Sequence, residues 1–175
     1  MQKVKDMRES SNRETTRKLA DTPYLFGEIR QPETSYLIIP RVTSENRKYI
    51  PIGYMQPNII ASDACIILPL ATLYHFGILT SNVHMAWMRA VCGRLKSDYR
   101  YSNTIVYNNF PWCNPTDEQK AKIEETAHGI LDARALFPDC SFSHNIYINI
   151  LNLCIFSKTL QIVTKFNKTS MFVYN

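Results

Sequence analysis

The clearest rhythm in the chain runs over residues 72–112. Val83, Ala86, Trp87, Ala90 and Val91 recur at helical spacing and predict one apolar stripe, with Met85, Arg89, Cys92 and Lys96 on the opposite side. Gly77 frees the chain ahead of this helix, Thr80 or Ser81 offers an N-cap oxygen, and Gly93 marks its end. Upstream, residues 36–42 are β-branched and apolar and predict a buried strand; residues 50–55 predict a second and 65–68 a third, closed by Pro69. Residues 72–76 extend the sheet or lead into the central helix, and residues 104–107 predict a short strand. A last helix spans 114–137. Thr116 and Gln119 fit a capping box at its start, Asp117 and Glu118 suit its positive end, and Ile123, Ala127, Ile130 and Phe137 form its buried stripe, with Arg134 near its C-terminal end. These elements predict an α+β fold: a small, mainly antiparallel sheet packed by a central amphipathic helix, followed by a C-terminal helical segment.

The two ends depart from this pattern. Residues 1–18 are polar and mix both charge signs without an apolar stripe, which predicts a solvated linker or a frayed helix; Arg13, Arg17 and Lys18 give it an alternative reading as a basic arm. Residues 141–175 contain no Asp, Glu, Gly, Pro, Ala or Arg and are crowded with Ile, Asn, Phe and Lys. The expectation for residues 140–175 is an atypical tail, out of frame or non-homologous, appended to a truncated gene.

Composition narrows the class. The 175 residues are 45% apolar and 20% charged, enough for one domain with a core, and the formal charge of +5 favours an acidic partner such as nucleic acid. Five cysteines, Cys65, Cys92, Cys113, Cys140 and Cys154, are odd in number and form no CxxC pair. That argues against a disulfide framework or a zinc site and for reduced thiols in a cytoplasm. No apolar run approaches the roughly 20 residues of a membrane span, and the N-terminus lacks the pattern of a signal peptide.

Two stretches carry binding chemistry. The polar loop at 43–48 mixes Ser44, Glu45, Asn46, Arg47 and Lys48; Arg pairs with a guanine edge, Asn with adenine, and Glu accepts from cytosine. Turns are polar in any case, so composition alone favours an ordinary solvated loop. Beyond the central helix, Arg94, Lys96 and Arg100 alternate with Tyr99 and Tyr101, a mixture that neutralises phosphates and stacks on bases, or simply rims a core helix. Catalytic signatures are missing. None of the five glycines forms a nucleotide-cradling cluster, no Walker loop or Ser-His-Asp set is visible, and Tyr74-His75 has no acid or nucleophile at motif spacing. Asn108-Asn109-Phe110-Pro111 has the residue types of an adenine-gripping tetrad but not its order, and predicts packing.

The words LYHFGILTS, HMAWMRAVCGRLKSDYRYS and TIVYNNFPW resemble the C-terminal part of the MmeI-like adenine-specific DNA methyltransferases. LFGEIRQPETSYLIIPRV, SENRKYIPIGYM and ASDACIILP resemble the same family's target-recognition region, and the likeness covers residues 18–138. It implies a DNA target-recognition domain at 19–112 and a helical segment at 113–139. It also implies double-stranded DNA as partner, with S-adenosylmethionine and the reactive pocket held by an upstream methyltransferase domain rather than here. The residues expected at the DNA are Arg41, Ser44, Glu45, Arg47 and Lys48, then Asn82, Arg89, Arg94, Lys96 and Arg100; no catalytic, cofactor or metal residue is expected. The function so implied is the DNA-recognition piece of an N6-adenine methyltransferase. A non-enzymatic nucleic-acid-binding module and an inactive gene remnant are the alternatives.

Overall fold

The structure, a computed structural model, describes residues 1–138, so the atypical tail lies outside the described residues. The chain divides into two compact units, Met1–Pro32 and Glu33–Asn175.

In the first unit, α1 (Gln2–Glu9) and α2 (Glu14–Lys18) are short and bury no side chain of their own. What orders this unit is Arg8. Its guanidinium donates to the carbonyls of Leu19 at 2.7 Å, Thr22 at 2.9 Å and Leu25 at 2.9 Å, clasping three successive acceptors of the turn from one side chain.

The second unit is α+β, with two three-stranded antiparallel sheets where one was expected. The strands are β1 (Tyr36–Pro40), β2 (Val42–Thr43), β3 (Gly53–Met55) and β4 (Cys65–Pro69), followed after two helices by β5 (Gly93–Leu95) and β6 (Asp98–Arg100). The first sheet has the order β3-β1-β4, the second β2-β6-β5. The run expected as one strand over 36–42 therefore splits at Arg41. Its N–H donates to Ala64 O at 2.9 Å beside the first sheet, and its carbonyl accepts from Tyr101 N at 2.7 Å beside the second. One residue joins both ladders, because Pro40 ends β1 and the chain changes partner there.

The helices are α3 (Leu73–Leu79), α4 (Asn82–Val91) and α5 (Asp117–Ala135). Leu37 and Ile39 of β1 pack with Ile50, Ile52, Phe76, Leu79, Met85 and Met88 in the main core, which Ala127 and Ile130 of α5 close.

Several expectations are corrected. Residues 72–76 do not extend the sheet; Thr72 caps α3, a separate short helix that leads into α4. Gly77 lies inside α3, where a Cβ would stand 2.8 Å from Ile123 Cγ2, so it permits the close approach of α3 to α5. On α4 the buried face is His84, Met85 and Met88, whereas Ala86 and Ala90 are exposed. The long Met side chains bury far more apolar area than a pair of alanines, and that decides which face meets the core. Residues 104–107 form not a strand but part of a π-helical turn, Asn103–Tyr107, held by Trp87 Nε1 donating to Val106 O at 2.9 Å. On α5 the roles of two residues are exchanged: Phe137 is 38% exposed and Arg134 only 9%. Arg134 Nη1 donates to Ile52 O at 2.7 Å, and its guanidinium carbon lies 5.2 Å from the Phe76 ring centre, so the buried cation has an acceptor and a π-face. The expected helix of 114–137 is trimmed to Asp117–Ala135, behind a capping box in which Thr116 N donates to Gln119 Oε1 at 2.8 Å.

Candidate nucleic-acid interface

The residues singled out in the loop and around the central helix lie about forty positions apart in sequence, and the fold brings them together. β5 and β6 form a hairpin in which Arg94 faces Tyr99 and Leu95 faces Asp98, leaving Lys96 and Ser97 as a two-residue turn. Lys96 has φ 56, the left-handed conformation that a primed hairpin turn demands at its first central position. Arg94 organises the hairpin base. Its guanidinium sits 4.0 Å over the Tyr99 ring, donates to Ser97 O at 2.8 Å, and lies 3.6 Å from Glu45 Oε2. Glu45 N in turn donates to Asp98 Oδ1 at 3.3 Å, so the 43–48 loop is fastened to the hairpin at two points.

The loop's other end rests on α4. Arg89 Nη2 donates to Lys48 O at 3.3 Å, and Asn82 hydrogen-bonds the phenol of Tyr49. Burial pushes the Tyr49 phenol up; the Asn82 bond and the Arg89 charge oppose it. Lys48 Nζ stands 5.7 Å from the same ring. Within the loop, Arg47 N donates to Ser44 O at 3.1 Å and Asn46 N to Ser44 Oγ at 3.3 Å, a tight turn that Ser44 closes. Arg100 is exposed on β6, opposite Val42 of β2 and Gly93 of β5.

Nine of the ten nominated residues thus lie on the loop, the hairpin and α4, with Arg94 and Arg100 on opposite faces of the hairpin's sheet. Arg41 is the exception: its Nε donates to Asp63 O at 2.8 Å, and its backbone serves the junction of the sheets. Arg47, Lys48, Arg89, Arg94, Lys96 and Arg100 are six cations set against the two carboxylates Glu45 and Asp98, a local surplus of four positive charges. Such a surface attracts a polyanion and holds Arg and Lys donors in defined directions. Sequence reasoning missed Asp98 and Tyr49, which fix the loop from its two sides. The two-residue turn was the available signal for Asp98, since it sets which hairpin residues face each other.

The residues set aside as non-catalytic are structural in their geometry. His75 Nδ1 accepts from Thr72 N at 3.2 Å and lies 2.9 Å from Thr72 Oγ1, a capping pair. Tyr74 donates to Cys113 O at 3.2 Å. Phe110 is buried, 4.7 Å from the His84 ring and 5.2 Å from Trp112, while Asn109 Nδ2 donates to the carbonyls of Thr104 and Ile105. Among the described residues no group of three or more metal-ligating side chains occurs, and no helix is long and apolar enough to cross a membrane.

An α+β module that presents a cationic loop and hairpin on a separate apolar core has the build of a recognition domain. The match to known proteins defines it further: residues 1–114 match the family described as MmeI, target recognition domain. The chain belongs to that family. It is 42% identical over 130 residues to DNA methyltransferase A of Bacillus subtilis (strain 168), covering 74% of this chain and 15% of that relative. Its fold matches the Type IIL restriction-modification enzyme MmeI, solved in complex with DNA, with a TM-score of 0.79 and 40% identity, covering 95% of this chain and 23% of that one. The chain therefore spans a small fraction of the length of either protein.

Proposed function

We propose that this chain supplies the DNA-reading part of an adenine-specific (N6) DNA methyltransferase of restriction–modification type, acting in the cytoplasm on double-stranded DNA. The 43–48 loop and the 93–100 hairpin grip the duplex. Cations at Lys48, Arg89 and Lys96 neutralise phosphates and set the register, while Ser44, Glu45, Arg47, Asn82, Arg94 and Arg100 meet base edges. Arg41 supports the joint between the two sheets behind them. The observation that carries this reading is the convergence of loop, hairpin and α4 on one cationic, aromatic-backed surface.

Methyl transfer belongs, in this proposal, to a separate upstream catalytic domain that holds S-adenosylmethionine. The described residues do not fit that cofactor. Both sheets are antiparallel, Gly77 is packed on Ile123, and Gly93 opens a strand, so no glycine turn between a parallel strand and a helix is on offer.

The test is duplex binding by the chain across salt concentrations. The proposal predicts affinity that falls with a log–log slope of roughly −3 to −5, as expected when several cations displace counterions. Replacing Arg47 by Ala should cost about 1–3 kcal/mol and relax preference at one base pair. Salt-independent binding, or none, would contradict it.

A further inference from the structure

The second sheet has two faces of opposite character. Cross-strand partners share a face and successive residues alternate. Arg94, Tyr99 and Thr43 form one row, and there Tyr99 and Thr43 are buried. Val42, Arg100 and Gly93 form the next row on the opposite face, joined by Leu95 and Asp98. On this outer face Val42 is 39% exposed, Leu95 50%, and Arg100 is exposed. A Cβ on Gly93 would meet nothing nearer than Arg100 Cβ at 4.0 Å, so the space above it is open.

We propose that this outer sheet face is a methyl-reading surface, on which Leu95 and Val42 receive the 5-methyl groups of thymines in the major groove while Arg100 between them holds the adjacent acceptors. The inference rests on the duplex-reading proposal above and adds residues outside the loop and the charged set. Three observations carry it. Among the described residues Val42, Leu95 and Arg100 stay exposed on this face, which combines two aliphatic side chains and a cation beside the Asp98 carboxylate and so matches a groove edge that offers methyl groups among acceptors and donors. The face borders the cationic loop through Asp98, which accepts from Glu45 N, and carries Arg100 itself, so a polyanion drawn to the loop meets it. The β5–β6 hairpin projects its two-residue turn beyond the short β2, and the missing side chain at Gly93 leaves room beside Arg100 for a close approach. Val42 and Leu95 sit on the two outer strands. They are separated by two strand spacings of about 4.8 Å across the sheet and by two residues of about 3.3 Å along it, roughly 12 Å in all, which corresponds to three to four base-pair steps of about 3.4 Å.

The experiment selects bound duplexes from a pool with a randomised centre, using the full chain, and then replaces each selected thymine by uracil, which lacks only the methyl. The expected result is that at least one uracil substitution weakens binding about fourfold, the worth of one methyl group returned to water. Leu95→Ala or Val42→Thr, checked for unchanged circular dichroism, should then bring the thymine-to-uracil ratio toward one at the matching position. Selected duplexes without thymine, or binding indifferent to uracil throughout, would overturn the surface while leaving the duplex-reading proposal standing. Failure to select any duplex would remove both. A change of oligomeric state in Leu95→Ala, with DNA binding unaltered, would show that the face is covered by protein and would also overturn it.

Discussion

The two sheets share strand number and antiparallel pairing but not purpose. In β3-β1-β4 the middle strand is enclosed: Leu37 and Ile39 are fully buried, and their cross-strand neighbours Tyr54, Leu68 and Ile66 pack on the same core. In β2-β6-β5 no strand exceeds three residues, only one face meets the core, and the other carries Val42, Leu95 and Arg100 outward. Pairing alone therefore does not say whether a sheet builds the molecule or presents side chains to a partner. The alternation of buried and exposed positions does.

The comparison can be broken first where burial is complete. Ile39→Ala should cost about 2–5 kcal/mol, measured by urea unfolding, because a fully buried side chain loses its apolar contacts and leaves a cavity. A second test sharpens the boundary between core and display. His84 is fully buried with Nε2 2.9 Å from the Tyr101 hydroxyl, just beneath the second sheet, and burial pushes its pKa down from 6.5 to about 4. The unfolded chain takes up that proton first as pH falls below 6.5. Stability is thus full above that pH, is lost down to pH about 4 by about 3 kcal/mol, and levels off below. His84→Gln should flatten this part of the stability–pH profile, and an unchanged slope would contradict the assignment. The smallest effect is expected on the open face, where Leu95→Ala should stay within about 0.5 kcal/mol.

Much of this division was legible in the sequence. The capping box at Thr116 and Gln119, the N-cap at Ser81 and the strand over 65–68 follow from local chemistry, and the structure shows them. The α4 face was misread because a binary pattern weighs Ala with Trp and leaves out His. The π-helical turn at Asn103–Tyr107 was misread because β-branched residues favour strands until a tertiary contact, here Trp87 Nε1 on Val106 O, decides otherwise. The loop and the hairpin were each visible as polar and cationic stretches. Their junction through Glu45, Asp98 and Arg94 was not, since contacts across fifty residues leave no local signal. The family words supplied what spacing alone could not: a reason to regard the two stretches as one surface.

Hydrogen–deuterium exchange of the full chain, with and without duplex DNA at low salt, tests the central claim most directly. The account predicts added protection in residues 42–49 and 93–103, with no change in Tyr36–Pro40 and Cys65–Pro69. Protection of the first sheet with the loop and hairpin unaffected would contradict it.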